Sequence, residues 1–296
     1  MVHLAPGDPA SLYLQPGIDP KTVELIRRQM GLDLPIWRQY LNWIYEFSTG
    51  NFGISFLSHR PVIEILKEAL PNTLQLTLIA FLVQLVLGIL IGVSSALKQG
   101  SAFDNFLNGG LLLLYSLPGY WLALVAILIF SLQLGWLPSS QMASLTLEGG
   151  FWVVLKDRIL HLILPVSVLA TSLTAYTARF VRGSLTDVLA QNYIRTAIAY
   201  GLKRRQIVFK YALKNALLPV ATLIGLHLPF LLGGAVIIEY IFAWPGMGRL
   251  TVNAIFAHDY PVIMASGFIA AVSVVLGNFI SDVLYMIIDP RIKTGG

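Results

Sequence analysis

Five long stretches of the chain contain no charged residue, and the charged positions collect between them. Each stretch has at least 20 residues. About 20 apolar residues in a helix cross the hydrocarbon core of a bilayer, so the pattern predicts five membrane-spanning helices. In the second stretch, Pro118-Gly119 predicts a kink. The stretches are 74–97, 105–134, 159–178, 215–238 and 260–281.

The composition agrees with an all-α membrane protein. Of 296 residues, 56% are hydrophobic and 12% are charged, about half the charged share of a typical soluble protein. The chain has no cysteine, which excludes disulfides and cysteine-ligated metals, and its five histidines are scattered. It also lacks a Gly-x-x-x-x-Gly-Lys-Ser/Thr phosphate loop and any catalytic constellation. We therefore expect no cofactor, no bound metal, no nucleic-acid partner and no enzymatic activity.

Lysine and arginine concentrate in one connection between spans, which sets the predicted orientation. Residues 179–214 hold eight Lys and Arg but one acid, Asp187. Because basic loops are retained in the cytoplasm, we expect this connection on the cytoplasmic side. Alternation then places the tail 290–296 in the cytoplasm and the N-terminal segment 1–69 outside.

That external placement predicts a further span ahead of Met1. Residues 1–73 hold six basic and seven acidic residues, a balance that gives no charge bias, and no signal peptide is visible. We therefore expect a first span to precede this segment; translocation of the segment on its own is the alternative. The stretch from Ile36 to Phe47 is rich in aromatic residues and suits a helix at the membrane surface.

The most basic connection carries YIRTAIAYGLKRRQIVFKYALKNALLP from Tyr193 to Pro219. Within 187–201, small and apolar residues recur at spacings of three and four, which predicts one helix with a single small face. Gly201 can adopt a left-handed turn, so we expect it to end this helix and a second helix to begin near Gln206. The face suits a groove on another protein; a basic loop for topology and anionic lipid is the alternative. The face consists of Ala190, Ile194, Ala197, Ile198 and Gly201.

This connection resembles the coupling loop of ABC-importer permeases, and in particular the variant of the peptide/nickel branch. Against the general pattern of those loops, Ala197, Gly201 and Leu213 match, whereas Arg195 and Lys214 replace a glutamate and a proline. The resemblance extends along almost the whole chain. It rests on the stretches HLAPGDPA, MGLDLPIWRQY, NFGISF, LPNTLQLTL, HLILPVSVLA, VIIEYIFAWPGMGRL, DYPVI and DVLYMIIDPRIK, in that order.

The resemblance implies a type I transmembrane domain of an ABC importer over residues 70–289, with a cytoplasmic coupling loop at 182–214. The chain would be a permease subunit in the inner membrane of a prokaryote, and a first span would precede it. Two ATPase subunits, a second permease, an external solute-binding protein and membrane lipid are the implied partners. The external motifs favour nickel, as a chelate, over di- or oligopeptides. A secondary transporter driven by an ion gradient is the alternative class.

Several residues are candidates for specific roles. His227, within a predicted span, and Glu239, beyond its external end, are possible pathway or gate residues. Gly88 and Gly92 are spaced for close helix packing in a membrane. The residues expected to couple to the ATPase are Asp187, Ala190, Tyr193, Ile194, Arg195, Thr196, Ala197, Gly201 and Leu202.

Overall fold

The computed structural model describes residues 34–144, 149–217, 220 and 235–288, and these form helices and connecting loops. Over those residues the β-structure is one isolated antiparallel bridge between Ile54 and Pro61. The helices are α1 Ile36–Ser48, α2 Val62–Leu97, α3 Ala102–Ser116, α4 Gly119–Gln133, α5 Phe151–Leu189, α6 Asn192–Ala199, α7 at 204–216, α8 Val236–Ile241, α9 Met247–Phe256 and α10 Tyr260–Ile288.

The described helices account for four of the five predicted spans. α2, α5 and α10 are long and apolar enough to cross a membrane, and α3 with α4 forms a fourth candidate span bent by 99°. The bend confirms the predicted kink at Pro118-Gly119. It arises because the residue before a proline avoids helical geometry: Leu117 is extended, at φ −81° and ψ 133°. The predicted span 215–238 lies mostly outside the described residues.

The helices extend beyond the charge-free stretches that predicted them. α5 has 39 residues and contains both the charged cluster 156–158 and, near its other end, Arg182 and Asp187. A helix need not end where the hydrocarbon core ends, because charged side chains on its last turns can lie in the headgroup region or in water. The hydrophobic pattern therefore located the spans but underestimated the lengths of their helices.

α2 and α5 pack closely where two glycines of α2 face α5. A Cβ built on Gly88 would lie 2.7 Å from Thr177 Cβ, and one on Gly92 would lie 2.6 Å from the carbonyl oxygen of Ala178. Beside them, the buried Thr177 hydroxyl donates a 2.8 Å hydrogen bond to Gln84. This geometry confirms the close packing predicted from the spacing of the glycines.

The chain divides into two compact units, 1–68 with 251–268, and 69–250 with 269–296. In the first unit, Asp259 accepts hydrogen bonds from the Ser55 hydroxyl at 2.5 Å and from the backbone N–H groups of Phe56 and Leu57. The second unit contains the α2–α5 packing and both regions considered below as functional sites.

The α2–α5 contact yields a direct test. Gly92→Ala should destabilise the protein by roughly 1–3 kcal/mol, because the new methyl group would meet the backbone of Ala178 rather than a side chain that could move. Gly110→Ala is the matched control, since a Cβ there has no neighbour within 4 Å. Thermal unfolding of the purified protein in detergent measures both. Equal midpoints for the two variants would contradict the close packing.

Candidate functional site

The segment predicted to be one helix over 187–201 is two helices with a break. α5 ends at Leu189, Gln191 is extended at φ −67° and ψ 151°, and α6 begins at Asn192. The prediction of a continuous helix was wrong because the small residues keep their helical spacing by chance across the break. α6 is therefore a separate helix of eight residues that can point in a direction of its own.

α6 ends in a glycine turn of the predicted kind. Gly201 has φ +72°, in the left-handed region that favours glycine. Its N–H donates to the carbonyl oxygen of Ile198 at 2.9 Å, and the N–H of Leu202 donates to that of Ala197 at 3.3 Å. These two hydrogen bonds form a Schellman motif, which satisfies carbonyl groups at the end of the helix. The predicted left-handed turn at Gly201 is confirmed.

Two of the five residues of the predicted small face, Ile194 and Ala197, pack against the chain itself, contrary to the expectation that they face a partner. Ile194 and Ala197 are buried in a cluster with Val181 and Leu185 of α5 and with Ile207 of α7. Leu202 packs against the same cluster. The expectation treated the face as available because a sequence pattern cannot tell which apolar face a chain covers with its own helices.

The exposed surface of this region lies on the other sides of α6. Tyr200 is the most exposed, with 83% of its surface accessible, and Ile198 is also exposed, at 59%. Six of the residues expected to couple to the ATPase are also exposed: Asp187, Ala190, Tyr193, Arg195, Thr196 and Gly201. We call Tyr193, Arg195, Thr196, Ile198 and Tyr200 the outer face.

A buried carboxylate links α2, α3 and α5 close to the end of α5, the helix that leads into α6. Asp104, in the first turn of α3, accepts from Arg182 of α5 through Nε at 2.8 Å and Nη2 at 2.7 Å. It also accepts from the Ser95 hydroxyl of α2, from Asn108 Nδ2 at 2.7 Å and from the Gly100 N–H at 3.0 Å. Both carboxylate oxygens are thus used, and α2, α3 and α5 are tied together two turns before α5 ends.

Three further hydrogen bonds hold the segments around α6. Arg204 donates to the last carbonyl of α2, that of Leu97, at 3.0 Å, which also places a positive charge at a helix C-terminus. The Ser184 hydroxyl donates to the carbonyl of Ala216 at 2.9 Å. Asn215 donates to the phenol oxygen of Tyr193 at 2.9 Å. α6 is therefore connected to α7 and, through the turn that follows it, to α2.

A second site surrounds Glu239, just beyond the predicted span 215–238. Its carboxylate is fully buried and accepts from the Thr73 hydroxyl at 2.8 Å and from the N–H groups of Gly248 and Arg249 at 2.7 and 3.2 Å. The last two groups belong to the first turn of α9, so Glu239 caps that helix. Burial raises the pKa of the Glu239 carboxyl, and the bonds from Thr73, Arg249 and Gly248 lower it in part.

The loop that joins α8 to α9 packs closely around this carboxylate. A Cβ on Gly246 would collide with Glu239 and with the Thr73 hydroxyl, which leaves glycine as the residue that fits. The fully buried Trp244 donates through Nε1 to the carbonyl of Asn72 at 2.8 Å. In this structure the Glu239 side chain is closed off from solvent, and its role as a pathway or gate residue stays a prediction. Its hydrogen bonds fix the position of the loop against α2.

The other candidate, His227, lies outside the described residues. Within the part of the chain that the structure describes, no three His, Asp or Glu side chains are grouped so that they could hold a metal ion. The sequence reasoning missed the pairing of Asp104 with Arg182, which are 78 residues apart. The available signal was an acid at the start of a long apolar stretch, where an unpaired charge is unfavourable.

Comparison with protein families gives two matches that together cover nearly the whole chain. Residues 88–294 match the family described as the inner membrane component of binding-protein-dependent transport systems. Residues 1–77 match the N-terminal region of the membrane component of such systems.

Curated relatives agree along nearly their full lengths. The chain is 43% identical to the oligopeptide transport system permease protein AppB of Bacillus subtilis (strain 168), over 99% of this chain and 92% of that protein. It is 38% identical to the di/tripeptide transport system permease protein DppB of Pseudomonas aeruginosa (strain UCBPP-PA14), with the same coverage. It is 37% identical to the glutathione transport system permease protein GsiC of Escherichia coli (strain K12), over 99% and 91%.

Among solved structures, the fold is similar to a chain of the MetNI methionine ABC transporter in an inward-facing conformation. The TM-score is 0.61 at 18% sequence identity, over 77% of this chain and 97% of that one. At this identity the similarity concerns the fold, and it agrees with the predicted importer-type transmembrane domain.

The Asp104 network yields a prediction about transport. Arg182→Ala should reduce uptake several-fold, because it leaves a buried carboxylate without its cation and loosens the attachment of α3 to α5. Arg179→Ala is the matched control, since Arg179 lies one turn earlier on α5 and is exposed. Uptake is compared at equal amounts of protein in the membrane. Equal loss from both variants would indicate that basic charge, and not the pairing, matters.

Glu239 yields a prediction about stability. Glu239→Ala should lower the free energy of unfolding by roughly 1–3 kcal/mol, because the buried N–H of Gly248 and the partly buried N–H of Arg249 lose their acceptor. Glu239→Gln should cost less, since its amide oxygen can still accept from Gly248 and Arg249. Thermal unfolding in detergent compares the variants. If the alanine variant unfolds at the wild-type temperature, the capping role is wrong.

Proposed function

Because the chain belongs to the family of inner membrane components of binding-protein-dependent transport systems, we propose that α6 couples it to an ATPase and that its solutes are peptides. As a member of that family, it is a permease subunit of an ABC importer in the inner membrane. Such a system works with a solute-binding protein and with ATPase subunits. Two ATPase subunits and a second permease complete the proposed assembly, with the tail 290–296 in the cytoplasm.

The observation that carries the coupling role is the two-sided packing of α6. Its inner side is fixed by Ile194 and Ala197, which are buried against α5 and α7. Its outer face is exposed and carries aromatic, basic and hydroxyl side chains. A force applied to the outer face would therefore reach the ends of the spans through packed side chains. The inner residues act as anchors and the outer face as the docking surface.

Gly201 controls the direction of the chain after α6. Its left-handed turn sends the chain back into α7, whose first residue, Arg204, is bonded to the end of α2. A Cβ at Gly201 would meet no atom of this chain within 4 Å. A substitution there consequently acts through backbone strain and through the docked partner, and not through a clash within the permease.

The proposed substrate class is peptides rather than nickel. The relatives described above carry names for the transport of oligopeptides, di/tripeptides and glutathione. The preference for nickel that came from the external motifs finds no support among them. Neither the ion-gradient transporter nor a membrane enzyme finds support from the family match.

The coupling role predicts that Gly201→Ala impairs the importer. A left-handed alanine costs roughly 1 kcal/mol or more, which should disrupt the turn and reduce uptake about fivefold. Retention of the ATPase on the purified permease should fall in parallel, while the amount of permease in the membrane stays unchanged. The measurements are uptake in cells and co-purification of the ATPase.

Gly183→Ala is the matched control for this experiment. Gly183 lies in α5, a Cβ there has no neighbour within 4 Å, and alanine favours a helix over glycine. We expect wild-type uptake and ATPase retention from it. If Gly201→Ala and Gly183→Ala behave alike in both measurements, the coupling role of the turn fails.

The substrate class is tested by uptake through the complete importer. Cells without other peptide importers should take up labelled tripeptide only when they produce this chain with its ATPases, partner permease and binding protein. Excess unlabelled dipeptide should compete. Nickel uptake that depends on this chain, without any peptide uptake, would contradict the proposal and restore the nickel interpretation.

A further inference from the structure

An exposed apolar stripe runs along α1, in the first compact unit. Its members recur at spacings of three and one, which places them on one side of the helix. They include two of the most exposed aromatic side chains of this unit, Tyr45 at 67% and Trp37 at 58%. None is charged. We call this the aromatic stripe; it consists of Trp37, Tyr40, Leu41, Ile44 and Tyr45.

The remaining sides of α1 differ from this stripe in polarity and burial. Arg38, Asn42 and Glu46 follow one another at spacings of four and are exposed, so they form a polar stripe beside the aromatic one. Phe47 is buried and follows Tyr40 by seven residues, so it lies at one edge of the apolar side. α1 therefore has a polar side and an apolar side, and the apolar side is anchored at one edge and exposed over the rest.

Phe47 anchors α1 to a helix that spans the membrane. Its ring packs edge-on against Phe52, with centroids 5.0 Å apart, and against Phe268 of α10, with centroids 5.6 Å apart. The loop after α1 is held a second time by Asp259, which directly precedes α10 and binds the Ser55 hydroxyl. Both attachments involve the beginning of α10, so α1 cannot move freely away from it.

The position of Phe268 sets the depth of α1. Phe268 follows the first residue of α10, Tyr260, by eight positions, or about 12 Å along a helix at 1.5 Å per residue. Since the charge-free stretch of α10 begins at Tyr260 and is long enough to cross a membrane, this level lies within the hydrocarbon side of the boundary with the headgroups. The end of α1 is therefore held beside the first turns of this span and not above the bilayer in water.

We propose that α1 lies in the membrane interface with the aromatic stripe against lipid. Trp and Tyr are enriched at this level because their rings are apolar and their N–H and O–H groups reach water or headgroups. A helix with an apolar side and a mixed-charge polar side binds in the plane of such an interface. In the anchored loop that follows α1, Ile54 and Leu57 are exposed as well. This role is independent of the coupling site and of the substrate.

The absence of cysteine from the chain allows a direct test with single labels. Leu41→Cys places a thiol in the aromatic stripe, and Asn42→Cys places one in the polar stripe one residue later. Each variant is labelled with an environment-sensitive fluorophore in the complete importer, reconstituted in nanodiscs. Lipids with a nitroxide near the carbonyl end of the acyl chain should quench the Leu41 label by about half and the Asn42 label little.

Each other outcome overturns the proposal. Equal quenching of the two labels would show that α1 has no lipid-facing side. No quenching at Leu41, together with a fluorescence change on addition of the solute-binding protein, would identify the stripe as a protein-docking surface. No response to either would show that another part of the importer covers it. Transport by both labelled importers, measured in parallel, verifies that the assemblies are intact.

Discussion

The carboxylate of Asp104 forms the interactions on which the architecture around α6 depends. It is buried, and it accepts from side chains of α2, α3 and α5 and from the backbone between α2 and α3. An unpaired charge there would be unfavourable, so Arg182 must stay paired with it for these helices to remain together. Because α5 ends two turns after Arg182, the same pairing fixes the position from which α6 extends.

A buried acid performs a similar task near the other functional region. Glu239 accepts hydrogen bonds from two N–H groups in the first turn of α9 and from the hydroxyl of Thr73 on α2. In both places a carboxylate satisfies groups that the helix ends would otherwise leave unpaired. Between them, the contacts of α2 with α5 rely on Gly88 and Gly92, whose missing side chains allow the helices to approach. Polar interactions thus secure the ends, and close packing secures the middle.

The sequence predicted the features that depend on local chemistry. Charge-free stretches located the spans, proline bent the second one, and Gly201 formed its left-handed turn. What it could not predict depends on contacts between distant residues. The helical spacing of Ala190, Ile194 and Ala197 continued across a break at Gln191. Two residues of the face that was expected to meet a partner, Ile194 and Ala197, are instead covered by α5 and α7. Arg182, which pairs with Asp104, and Thr73, which binds Glu239, likewise come from far along the chain.

We propose that α6 presents its outer face to the ATPase and its buried residues, Ile194 and Ala197, to the permease. A photo-crosslinking amino acid at Tyr200 or at Ile194, in the assembled importer, tests the two sides against each other. We expect crosslinks to the ATPase from position 200, and crosslinks within the permease alone from position 194. Crosslinks to the ATPase from position 194 and none from position 200 would contradict it, and would restore the small face as the docking surface.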